Sequence, residues 1–346
     1  MSLPKTVRVP AAAAAIGLML ASCGTVTEAH VKTESITMTY VPGAAFTSLV
    51  QAAQEFGFFA KNGLKVTLVP VTNGPTTSAA VASGAADIGA NAPEVFTPLA
   101  ARGIGIKLLG GTGKSPVSLV VPGSYKDAGK SFPANVKGLE GGTLGVTALK
   151  SAIYFFGEEI LKAANIPVSR VQFVAYGTDA SALAALQHGT LTAALVVDPI
   201  PFVAKADFGS RVLLNLSRGL PGTSIGAISE NGLWALSSWV ATHQVAVRRV
   251  ERAMAQTDLY LHAPAHLASA VKLLGSELPP GFSKSARIAY TKSILPSVTY
   301  IYSRQNLATW LEFDLKYGVI SHPLTVSSVL EPGVPGTLAA ERALAG

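Results

Sequence analysis

Two stretches of this chain obey the same local grammar, and that repetition restricts the possible folds more than any other feature. The first reads Ser78-Ala-Ala-Val-Ala-Ser-Gly84-Ala-Ala-Asp87-Ile88-Gly89-Ala-Asn91-Ala-Pro93. The second reads Ser181-Ala-Leu-Ala-Ala-Leu-Gln-His188-Gly189-Thr-Leu-Thr192-Ala-Ala-Leu-Val-Val-Asp198-Pro199. Each is a helix, a glycine stop, a short apolar strand, then a polar residue and a proline opening the next helix. Glycine tolerates the left-handed conformation that ends a helix, and proline suits the first helical position. Two such units predict two similar lobes.

The surrounding pattern extends the argument. Ile36, Met38 and Tyr40 alternate with threonines, a period-two strand, and Phe46, Leu49, Val50, Ala53 and Phe56 follow at helical spacing up to Gly57. Further strands are expected at 66–71, 88–90 and 106–109, with helices at 78–82 and 95–102. A second block repeats the plan, with strands at 143–146, 171–174 and 193–197 and helices at 151–164 and 181–188. Such alternation predicts an α/β protein with mainly parallel sheets covered on both faces. The Gly/Pro/Ser-rich segments 110–123 and 219–232 read as two extended crossings between lobes. Helices at 246–261, 265–277, 283–295 and 304–317 are expected to rejoin the first lobe, and 325–346 to wrap the surface. The organisation is then a discontinuous first lobe, 36–115 with 230–346, and a second lobe, 116–229.

The N-terminus precedes this body. Lys5 and Arg8 form a basic region, and residues 11–20 an apolar stretch too short to span a bilayer as a mature helix. Leu20-Ala21-Ser22-Cys23 has the form of a bacterial lipobox, in which the cysteine is acylated and becomes the new first residue. Two acyl chains anchor stably where one is marginal. The reading is therefore a signal peptide over 1–22, a lipid-modified Cys23 and a tether over 23–35; an ordinary signal peptide is the alternative. Cys23 is the only cysteine, so the folded body can hold no disulfide, no cysteine-rich metal site and no cysteine nucleophile.

With 49% hydrophobic and 14% charged residues in 346, the chain has ample material for a core. The formal charge of +7 falls by two if Lys5 and Arg8 are removed. The basic residues are scattered, with no run of five or six and no interleaved aromatics, which argues against nucleic acid. A receptor for an anion and an ordinary solvated surface both fit.

Residues Glu55-Phe-Gly57-Phe58-Phe59-Ala-Lys61-Asn-Gly63-Leu64 resemble the stretch after the first helix in the nitrate/sulfonate/taurine-binding family of periplasmic binding proteins. The resemblance continues at Ser83-Gly84-Ala-Ala-Asp87-Ile88-Gly89, at Val136-Lys137-Gly138 through Gly142-Thr-Leu-Gly145-Val146, at Val197-Asp198-Pro199, and at Trp310-Leu-Glu-Phe313-Asp-Leu-Lys316-Tyr317-Gly318-Val319-Ile320. Asn135 and Thr192 stand where the family often has aspartate, and Leu139-Glu140-Gly141 is inserted. The resemblance implies the two-lobed type II periplasmic-binding-protein fold, with a ligand cleft between lobes. It implies the extracytoplasmic receptor of an ABC importer, not an enzyme. Its partners would be a small solute (a sulfonate, nitrate or taurine-like anion), a permease with its ATPase, and the membrane through a lipid anchor. The receptor would be a monomer without cofactor or metal. Alternatives are a receptor for a thiamine-precursor pyrimidine or aromatic acid, and a non-transport lipoprotein. A pyrimidine-precursor synthase of thiamine biosynthesis is disfavoured, because those enzymes are cytoplasmic and carry a cysteine-rich motif.

Ligands of open α/β sheets bind beyond the carboxyl ends of strands. That rule nominates Gly43, Ala44, Phe46, Asn73, Thr76, Thr77 and Asn91 from one lobe. It nominates Thr147, Ser151, Tyr176, Thr178 and Asp198 from the other, and Trp234 at the cleft floor. Several of these open helices, whose free N–H groups suit anions. Phe46, Tyr176 and Trp234 could stack on an organic body. Asp198 could cap its helix or accept from an amine or ring N–H, and Lys150 could add charge. Asp87 reads as support for a turn. His262 and His266 have i,i+4 spacing, but Pro264 lies between them and no adjacent carboxylate is apparent, so no metal site is expected. Walker and His-Glu-x-x-His motifs are lacking.

Overall fold

A computed structural model of the chain describes residues 1–2, 32–114, 117–223, 225 and 230–346. The expected signal peptide from residue 3 on, Cys23 and residues 24–31 of the expected tether lie outside the described residues. Thr33–Gly346 is one compact unit containing two five-stranded sheets. In the first, β1 (Glu34–Tyr40) pairs in parallel with β2 (Leu64–Pro70) and β3 (Ile88–Asn91). The order is β2-β1-β3-β10-β4, with β4 being Ile106–Lys114 and β10 Glu230–Leu236. In the second, β5 (Ser118–Val121), β6 (Thr143–Val146), β7 (Gln172–Ala175), β8 (Ala193–Val196) and β9 (Arg211–Asn215) take the order β7-β6-β8-β5-β9.

The two sheets share one plan, as the repeated grammar predicts, but they are mixed rather than mainly parallel. β10 runs antiparallel to both β3 and β4, and β5 antiparallel to both β8 and β9. β5 lies inside the first expected crossing and β10 begins at the end of the second, and both are strands buried along nearly their whole length. A strand that arrives from the other lobe enters the sheet from its opposite end, so it must run against its neighbours. Edge strand β9, with Val212 exposed, was not anticipated.

Local chemistry explains where helices begin. Asn73 accepts from the Thr76 N–H while the Thr76 hydroxyl accepts from the Asn73 N–H, a capping box. The helix consequently starts at Gly74, before the expected 78, and Thr76 and Thr77 lie in its first turn. Ser151 and Thr178 cap the Ala152–Ala163 and Asp179–Gln187 helices. Asp87 accepts from the Thr37 N–H at 2.7 Å and hydroxyl at 2.8 Å, tying the turn before β3 to β1.

The C-terminal helices position the cleft. Gln244–His262 packs on the Ser48–Glu55 and Phe58–Lys61 helices, and Leu338–Ala345 packs on it in turn. The last segment carries two short helices, Val326–Val329 and Leu338–Ala345. The Arg304–Lys316 helix serves both lobes. Its Leu307 and Leu311 join the cluster around Trp234 and Leu108, while Trp310 and Phe313 join the second sheet's cluster around Phe156. Gly113 of β4 has φ +134, and a Cβ there would meet the Ser297 carbonyl at 2.7 Å. Only glycine lets residues 297–301 lie against β4. That close approach brings Ser293, Pro296 and Ser297 beside the end of β4.

Candidate functional site

The last residue of β4, the first residue of β5 and Asp198 just after β8 line one space where the lobes meet, and the nominated residues have unequal roles. Thr77 is wholly buried; its hydroxyl donates to the Asn73 carbonyl at 2.9 Å and accepts from Asn91 Nδ2 at 3.2 Å. Asn91 also accepts from the Ala92 N–H at 2.9 Å. Asn73, Thr76, Thr77 and Asn91 are thus brought together as one capping network. Gly43 makes a left-handed turn, Ala44 is buried and Phe46 half-buried. In the second lobe the Thr147 and Ser151 hydroxyls stand 3.2 Å apart beside exposed Lys150. Thr178 is exposed and caps Ser181. Tyr176 is buried and donates its hydroxyl to the Leu195 carbonyl at 3.0 Å.

Trp234 does not line the cleft floor. It is 0% exposed, stacked on Phe96 with ring centres 5.4 Å apart, and its indole N–H donates to the Asn91 carbonyl at 3.2 Å. The alternation of β10 turns this ring into the first lobe's core, where large aromatic area is most stabilising.

Asp198 borders an open space. A cavity of about 380 Å³ lies between the lobes. Lys114, Ser293, Pro296 and Ser297 line it from the first lobe; Ser118, Asp198, Phe202, Lys205, Asn215 and Ser217 are among those lining it from the second. Neither lysine makes an ion pair among the described residues. Ser118 and Asn215 face each other in register across β5 and β9. Sequence reasoning missed all of these but Asp198, because the cavity depends on the pairing of β9 and on the approach of residue 297 to β4.

Beside the cavity the lobes touch directly. Val203 from the Ile200–Phe208 helix joins the first lobe's core cluster, and Phe202 meets Phe282 and Tyr290 with ring centres 5.9 and 5.5 Å away. Burial pushes the Asp198 carboxyl up to about 7. Burial also carries Glu277 to about 7; donors from Ser48 and Tyr290 pull it down and the charge of Asp198 pushes it up. The Tyr290 hydroxyl donates to Glu277 at 2.6 Å, and the Ser48 hydroxyl at the start of the Ser48–Glu55 helix donates to it too. Two acidic groups, one from each lobe, therefore share a poorly solvated junction. The arrangement can offer a small polar solute positive charge from the lysines and a titratable hydrogen-bonding group from Asp198.

No group of metal-ligating side chains occurs among the described residues. A carboxylate does stand beside His262: Asp258 lies 2.8 Å from its Nδ1. Asp258 also accepts from the Tyr300 N–H and the Thr299 hydroxyl, and His266 stacks on Tyr260, so both histidines belong to the packing of these helices. None of the described helices is long and apolar enough to cross a membrane.

The sequence model of the NMT1/THI5-like family matches residues 46–257, more than half of the chain. The chain belongs to the NMT1/THI5-like family. No curated protein matches it. Among solved structures it is similar to the periplasmic nitrate-binding protein NrtA of Synechocystis PCC 6803, with a TM-score of 0.70 and 14% identity over 90% of this chain and 88% of that one. It is also similar to a periplasmic sulfonate-binding protein, SsuA, of Methylobacillus flagellatus KT, with a TM-score of 0.68 and 16% identity over 90% and 95% of the two chains. The alkanesulfonate-binding protein SsuA of Xanthomonas axonopodis pv. citri, solved with MOPS, gives a TM-score of 0.66 and 17% identity over 87% and 99%. The family's fold in this chain is thus the two-lobed type II periplasmic-binding-protein fold, and the resemblance read from the motifs is borne out.

Proposed function

We propose that the chain is an extracytoplasmic solute receptor of an ABC importer, taking a small anion between its lobes, and is not an enzyme. The observation that carries this reading is the interlobe cavity, with Lys114 from one lobe and Lys205 from the other and neither in an ion pair among the described residues. Only a ligand touching both lobes favours closure over opening, and closure is what a permease can read. Ser118, Asn215, Ser217 and Ser297 add neutral polar groups around the ammonium groups. The likeness to nitrate- and sulfonate-binding proteins supports the anion class. With Cys23 as the single cysteine, the chain lacks the cysteine-rich motif expected of the pyrimidine-precursor synthases.

Thermal unfolding of the full chain in mild detergent tests the reading against ethanesulfonate, nitrate, benzoate and a neutral hydroxymethylpyrimidine. An anion present at about 100 times its Kd should add roughly 2.7 kcal/mol of apparent stability. Stabilisation by the neutral heterocycle alone overturns the anion class.

The lipobox form of Leu20-Ala21-Ser22-Cys23 supports a receptor held on the outer face of the cytoplasmic membrane through an acylated Cys23. Cys23→Ala should leave the precursor uncleaved or move the protein from the membrane to the soluble fraction. Mass spectrometry showing an unmodified Cys23 at the mature terminus of the wild-type protein removes the anchor from this reading.

A further inference from the structure

The cavity's lining combines two kinds of ionisable group. Lys114 and Lys205 supply fixed positive charge, whereas Asp198 supplies a carboxyl that lines the same space and makes no hydrogen bond among the described residues. A carboxylate is an odd neighbour for an anion, because two like charges in a poorly solvated cleft repel strongly. The groups around Asp198 sharpen the conflict. Glu277 and Tyr290 face it from the first lobe, and Glu277 already takes the hydroxyl donors of Ser48 and Tyr290. Among the described residues, the cations lining the cavity are Lys114 on β4 and Lys205 on the helix after Asp198.

We propose that Asp198 recognises the solute as a protonated carboxyl, donating its O–H to an anionic oxygen, so that anion binding takes up a proton. This rests on the anion-receptor reading above. A protonated carboxyl carries one donor and no charge, so it removes the repulsion and adds a hydrogen bond to a charged acceptor. Its ionised form does the reverse. Asp198 thereby becomes a specificity-determining residue: it favours solutes with an exposed acceptor oxygen and rejects a cationic end only while it holds its proton. Burial supports the assignment, since it lifts this carboxyl to about 7 without an offsetting cation. The sign follows. The binding-competent, protonated form prevails below that value, and affinity falls as pH rises through it.

Calorimetric titration of the full chain in mild detergent, with ethanesulfonate, nitrate and benzoate as probes, tests this. For a midpoint near the value above, affinity should drop roughly 30-fold between about pH 6 and about pH 8.5. Repeating the titration at about pH 8 in two buffers of different ionisation heat should reveal uptake of about one proton per anion. Asp198→Asn keeps a neutral donor, so its affinity should vary less than about threefold over the same range. Glu277→Gln should keep the pH dependence. A dependence lost in Glu277→Gln but retained in Asp198→Asn assigns the proton to Glu277 and overturns the proposal. Affinity that rises with pH also overturns it, since Asp198 then accepts from a cation. Anion binding that ignores pH overturns the proposal while leaving the receptor reading intact; absence of binding by all three anions at every pH overturns both.

Discussion

Replacing Trp234 with alanine should lower the unfolding free energy by about 3–5 kcal/mol and leave solute affinity unchanged. The ring is wholly enclosed between Phe96 and the aliphatic side chains of its cluster. Its removal empties a space that a β-sheet core cannot collapse to fill, and it strips the Asn91 carbonyl of the indole donor. Denaturant unfolding without ligand, together with calorimetry, separates the two quantities. Lost affinity at near-normal stability would return Trp234 to the cleft wall.

The second large effect concerns the lysines. Lys114→Met keeps the aliphatic stem and removes the charge, so anion affinity should fall roughly 10- to 150-fold, the range for a hydrogen bond to a charged group. Lys205 is exposed, so Lys205→Met should cost only a few fold, and less still at about 0.5 M salt. A salt-independent loss of equal size in both variants would mean that the lysines act through structure and not through their charge. Normal affinity in both would move the anion elsewhere in the cleft.

The chain's residues specify some of this directly. Glycine stops at Gly57, Gly84 and Gly189 sit at left-handed positions, and each ends a helix or turn where the pattern put it. Asn73, Ser151 and Thr178 cap helices because a short polar side chain satisfies free N–H groups within a few residues. Phe59 packs into the core at the end of the first helical stretch. All of these depend on neighbours in sequence, so sequence alone determined them, along with the repeat that yields two like sheets.

Partners distant in sequence were decided only by tertiary structure. Period-two alternation says that a residue faces a core but not which one, nor whether its strand runs with or against its neighbours. Hence Trp234 looked like a ligand wall, β5 and β10 looked like links, and β9 was overlooked. The helix Arg304–Lys316 buries one set of side chains in each lobe, a division its 3.6-residue period does not contain. The cavity is the plainest instance. Lys114, Asp198 and Ser297 come from three separate parts of the chain. They meet because Gly113 admits a backbone that a Cβ would exclude, and because the second sheet carries Asp198 to the first lobe's edge. A binding site is made from such long-range contacts, and its electrostatics from the burial they impose, so neither is written in any local stretch of residues.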